Sequence, residues 1–186
     1  TTAAPTTEVT TATPTTTAPT TLQVTNGICF NLSGDMHRSI LKQHLWIDTH
    51  YTNKLDKEQF PTNELQKTRL TPFDFTQPRE IGERIKATVN GYYHAFQLRH
   101  PDNMQKPAAI LFDAQSGRAM TIYSSEPTLL INTHGAQSSG ITLQPLHAGY
   151  NSGMEKVDNS LQPGQVFHGA TVFLFTTDPP LIMKTK

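Results

Sequence analysis

Apolar residues in this chain come in short runs, over residues 28–32, 93–98, 108–112, 119–123, 129–132, 140–145 and 166–175. Between them stand Asn26-Gly27, Ser33-Gly34-Asp35, Gly117-Arg118 and Pro163-Gly164, residue types that supply the backbone angles of tight turns. Runs this short, punctuated this often, match strands and hairpins better than helices. They predict an all-β chain folded as an antiparallel β-sandwich.

One segment reads differently. Pro78 suits a first helical position, Glu80 and Arg84 stand four residues apart, Ile81 and Ile85 share a face, and Asn90-Gly91 supplies a stop. The spacing predicts one short helix from Pro78 to Asn90. Residues 22–25 alternate as a strand, Asn26-Gly27 is a kink, and 28–32 is a second strand. In 36–50, a region that also reads as strand, Ile40, Leu45 and Ile47 are core positions, while His37, His44 and His50 are surface or turn histidines. Residues 51–62 are polar and lead into Phe60-Pro61-Thr62-Asn63-Glu64, a turn before a short strand. Phe73, Phe75, Tyr92 and Phe96 read as core.

Composition narrows the function classes. Fifteen basic residues balance fifteen acidic ones, which leaves no electrostatic footprint for nucleic acid. No apolar run is long enough to span a bilayer as a helix, so no membrane partner is expected. Cys29 is the only cysteine, which rules out an intrachain disulfide and a thiolate metal site; the histidine spacing does not suggest zinc either. No metal or other cofactor is expected. A soluble protein results, with the cytoplasm slightly favoured and a processed N-terminus expected because the chain opens without Met. Thr fills about half of residues 1–25, a composition that fits a disordered tail or, since Thr is β-branched, a strand.

Several motifs recur in a fixed order: Thr25-Asn26-Gly27-Ile28-Cys29-Phe30-Asn31-Leu32-Ser33-Gly34, Phe60-Pro61-Thr62-Asn63-Glu64, Thr71-Pro72-Phe73-Asp74-Phe75, Gly91-Tyr92-Tyr93-His94, Ser116-Gly117-Arg118, Leu143-Gln144 and Leu161-Gln162-Pro163-Gly164-Gln165. Their order and spacing resemble the aldose 1-epimerase (galactose mutarotase) family, over nearly the whole chain but only the C-terminal half of a mutarotase domain. The resemblance implies a galactose mutarotase-like supersandwich, a single partial domain over residues 1–186, with 1–21 as strand and turn. It also implies a hexose as partner. Because half a sandwich would expose strand edges, a second polypeptide supplying the N-terminal half is expected.

Mutarotation needs a base for the anomeric hydroxyl and an acid for the ring oxygen. The resemblance places the acid at His94 and the base at Gln144, where the family has Glu. It places sugar contacts at Asn26, at Gly27 where the family has His, and at Tyr93 where the family has Asp; His147 is added as a neighbour of Gln144 in sequence. A Gln amide does not titrate, and losing a general base costs about two to four decades of rate. The expectation is a carbohydrate-binding domain with impaired catalysis. The alternatives are an active hexose mutarotase and a structural protein that binds no sugar.

Overall fold

The computed structural model describes residues 6–12, 17–21, 24–58, 61–133, 139–147 and 160–183. Fourteen strands run through these residues: β1 (Thr6–Ala12), β2 (Thr20–Thr21), β3 (Cys29–Phe30), β4 (His44–Ile47), β5 (Thr49–Leu55), β6 (Pro61–Lys67), β7 (Arg79–Glu80), β8 (Tyr93–Leu98), β9 (Ala109–Asp113), β10 (Arg118–Ser124), β11 (Thr128–Asn132), β12 (Ile141–Leu146), β13 (Ser160–Leu161) and β14 (Phe167–Thr176). They form two six-stranded antiparallel sheets. The first has the order β1-β14-β10-β9-β4-β7 and the second β3-β12-β11-β8-β5-β6, with β2 and β13 as a small separate ribbon. This is the expected all-β sandwich.

The chain reversals follow the turn signals. Gly117 takes φ 72° between β9 and β10, and Gly164 takes φ 82° in the Pro-Gly turn before β14, backbone angles at which a side chain would be strained. Period-two alternation then sends one set of side chains between the sheets. Ala109, Leu111, Met120, Ile122 and Phe173 from the first sheet meet Phe96, Leu98, Leu129, Ile131, Ile141 and Leu143 from the second.

The loop before β7 closes this core. Phe75 is fully buried, edge-on to Tyr92 at 5.1 Å and to Phe96 at 6.3 Å between ring centroids. Its main chain holds the neighbouring sheet, since Ile47 N donates to Phe75 O at 2.9 Å. Tyr92 in turn is pinned by its hydroxyl to Pro72 O at 3.1 Å and by its amide to Thr133 Oγ1 at 3.0 Å.

The helix expected from Pro78 does not form. Arg79 and Glu80 pair with Leu45 and His44 as an edge strand, and Ile81 N and Gly82 N donate to Gln43 O and Leu41 O. Main-chain partners across the sheet outcompete a helix too short to stabilise itself; only a 3-10 turn at Ile85–Ala87 remains. The ion pairs shift accordingly to Lys42–Glu80 at 3.0 Å and Arg79–Glu83 at 3.8 Å, while Arg84 donates to Thr71 O. Ile81 and Ile85 are nonetheless buried, as their shared face predicts.

Smaller corrections concern strand ends. Val24 and Thr25 are irregular, and Leu22 and Gln23 lie outside the described residues. The strand expected over 28–32 is reduced to Cys29 and Phe30, with Leu32 buried in the turn that follows. In 36–50, residues 40–42 form a 3-10 turn, but Ile40, Leu45 and Ile47 are fully buried as expected. Tyr51–Leu55 continues β5, and Pro61 opens β6 itself, opposite Leu55. β6 is the outermost strand of its sheet among the described residues, with Glu64 and Lys67 exposed and Glu64 paired to Lys54 at 2.6 Å.

Phe75→Ala should cost about 3–5 kcal/mol of stability, read as a fall in the denaturant midpoint of unfolding.

Candidate functional site

In an antiparallel sheet, directly opposed residues point to the same face. On the second sheet, His94 of β8 opposes Ile131 of β11, which opposes Leu143 of β12; Ala95 opposes Leu130, which opposes Gln144. Ile131 and Leu143 belong to the core between the sheets. Ala95 and Leu130 pack with Leu146 in a separate cluster on the outer face. His94 and Gln144, expected as acid and base of one site, therefore stand on opposite faces of one sheet.

His94 is built as a core residue. It is 5% exposed, its ring lies 4.2 Å from that of Phe73, and its Nδ1 accepts from Tyr93 N at 3.1 Å. Burial lowers its pKa to about 4, so at neutral pH the ring is the uncharged imidazole and not the imidazolium that a general acid would need. The sequence could not show this because the faces are fixed by register, which pairs residues distant in the chain.

The outer face gathers the other candidates. Tyr93, Asn132, Thr142 and Cys29 oppose one another in a row across four strands, and Tyr93 is 39% exposed. One row along, Gln144 is half-buried and its Nε2 donates to Asn26 O at 2.6 Å. A Cβ at Gly27 would lie 4.0 Å from that same Nε2. Thr25 Oγ1 donates to Pro145 O at 3.2 Å, which seats the 24–27 segment along β12. Positions 27, 93 and 144, at which this chain departs from the pattern quoted above, thus share one face, whereas the retained His94 faces the core.

His147 turns away from this row. Its Nδ1 contacts Glu126 Oε2 at 3.1 Å, and its ring stands edge-on to Phe167 of the first sheet at 4.8 Å. Glu126 is buried, and desolvation raises its pKa against the opposing attraction of His147. The two lie at the margin between the sheets, where Glu126, Thr25, Asn26, Pro145, Phe167 and Thr171 border a cleft of about 40 Å³, room for water and no sugar. Sequence reading gave Glu126 no role; its contact with His147 joins residues 21 positions apart, and only the fold reveals it. Among the described residues no group of three or more His, Cys, Asp or Glu side chains could hold a metal, and no helix is long and apolar enough to cross a membrane.

A model of the aldose 1-epimerase family matches residues 4–173. Galactose mutarotase of Sus scrofa is 25% identical over 171 residues, covering 83% of this chain and 50% of its own length. Aldose 1-epimerase of Streptococcus thermophilus is 34% identical over 110 residues, covering 59% and 31%. Among solved structures, an aldose epimerase homologue from C. elegans superposes with a TM-score of 0.81 at 18% identity, over 94% of this chain and 57% of that one. A galactose 1-epimerase from Lactobacillus acidophilus gives 0.76 at 18% identity, over 92% and 53%. The chain spans about half the length of the relatives it matches. Those relatives carry both halves in one polypeptide, so nothing supports the separate second polypeptide expected from the sequence.

The depressed pKa of His94 has a measurable consequence. Below pH 6.5 the unfolded chain takes up a proton that the folded chain refuses, so stability should be lost as pH falls from 6.5 to about 4. The full loss amounts to about 3 kcal/mol, and His94→Gln should flatten that part of the profile in denaturant titrations at stepped pH.

Proposed function

Because the chain belongs to the aldose 1-epimerase family, we propose that it is a carbohydrate-binding member whose mutarotase chemistry is impaired. One observation carries this reading: the residue at the base position, Gln144, donates its amide to Asn26 O at 2.6 Å and stands beside a glycine. An amide committed to a carbonyl neither accepts the anomeric proton nor titrates. The outer face that carries Tyr93, Thr142 and Gln144 is where a sugar would lie, and a hexose is the ligand that the family suggests.

Two further readings stay testable beside it. Relatives named galactose mutarotase and aldose 1-epimerase favour an active enzyme. The apolar cluster of Ala95, Leu130 and Leu146 under the same face favours a structural role without sugar.

Polarimetry of freshly dissolved α-galactose should give a rate equal to buffer, and a rate well above buffer overturns the impairment. Calorimetric titration with galactose should give saturable heat, whose absence overturns sugar binding. Gln144→Glu alone should not rescue the reaction. It sets a carboxylate against the Asn26 carbonyl and should cost about 1–3 kcal/mol of stability, measured by thermal or chemical unfolding.

A further inference from the structure

We propose that the cleft between the β4–β5 corner and the loop 69–77 binds a small ring compound carrying a carboxylate. The open cleft has a volume of about 400 Å³, within the range of small-molecule sites. Trp46, Asp48, Arg69, Leu70, Asp74 and Arg99 are the lining residues that define its chemistry. None of them belongs to the outer-face row around Gln144, so the proposal stands apart from the sugar reading of that face.

The walls are fixed before any ligand arrives. Ile47 N donates to Phe75 O at 2.9 Å and Thr68 N to His50 O at 3.0 Å, tying the loop to the corner at two points. The Trp46 indole, half-buried, donates Nε1 to Thr76 O at 3.1 Å and is held as one wall. At the rim, Leu70 is 87% exposed and sits at φ 64°, an unfavourable angle for a bulky residue. It is kept there by its amide, which donates to Asp74 Oδ2 at 3.1 Å. A cleft organised in this way loses little conformational freedom on binding.

The polar groups indicate the class of ligand. Both carboxylates are already committed: Asp48 to Arg99 at 3.4 Å and to His100, and Asp74 to the amides of Leu70 and Thr76 and to the Thr76 hydroxyl. Burial works to raise the Asp74 pKa, but the Thr76 hydroxyl and the two amides outweigh it and hold the carboxyl ionised. Donors are what remain. Arg69 is exposed at the mouth with no ion pair among the described residues, and Arg99 makes a single one and keeps N–H groups to spare. A guanidinium recognises a carboxylate through paired charge-assisted bonds, and the indole and Leu70 offer a flat apolar surface to a ring.

Trp46 is the only tryptophan in the chain, so its fluorescence reports the cleft directly. Galacturonate, benzoate, galactose and acetate would be titrated at constant ionic strength. A saturable change is expected with at least one ring carboxylate, with galactose and acetate at least tenfold weaker; the ratio of galacturonate to benzoate distinguishes a sugar acid from an aromatic acid. Arg69→Ala, at an exposed position without an ion pair among the described residues, should weaken the ring carboxylate at least tenfold, and Arg69→Lys should weaken it less. Equal responses to acetate and ring carboxylates, no saturation, or no effect of Arg69→Ala would overturn the proposal. Galactose heat that is unchanged in Arg69→Ala leaves the outer-face reading intact whichever way the fluorescence falls.

Discussion

The edge-on packing of Phe75 under Tyr92 is the contact on which the rest of this sandwich depends. Two antiparallel sheets bury their shared face well but leave the ends of the layer open. Here the loop 71–75 plugs one end with an aromatic side chain and uses its own carbonyl to pair β4. Tyr92 answers from the other side, bonded to Pro72 and Thr133, so that β8 enters its sheet in a single register. Register then decides which face each following residue takes.

That dependence explains why some of the structure was legible in the sequence and some was not. Turn residues and short apolar runs are local signals, and they predicted the hairpin at Gly117, the turn at Gly164 and the buried set around Phe75, Phe96 and Tyr92. The segment after Pro78 carried a helical spacing of Ile81 and Ile85 that was real as a burial pattern. Its backbone partners, Gln43 and Leu41, lie some forty residues upstream, and no local rule weighs them. The candidate site divides on the same ground. His94 and Tyr93 are neighbours in sequence, yet alternation sends one into the core and the other toward solvent.

The site is therefore best described by what shares a face. Gly27, Tyr93 and Gln144 converge on the outer side of the second sheet, and the proton chemistry that a carboxylate and an imidazole would supply there is absent from those three positions. Glu126 and His147 do pair a carboxylate with an imidazole, but at the margin between the sheets beside a space too small for a sugar. Family membership and fold are thus retained, while positions 27, 93 and 144 depart from the pattern.

β6 has a bearing on how this chain behaves at high concentration. An outermost strand offers its free N–H and C=O groups to any extended peptide nearby, the route by which sheets grow into fibrils. β6 opens with Pro61, which has no N–H to give, and carries exposed Glu64 and Lys67 further along. Charges and a missing donor of this kind discourage a second strand from adding in register. Among the described residues, the sheet ends on this side in a strand whose sequence resists extension.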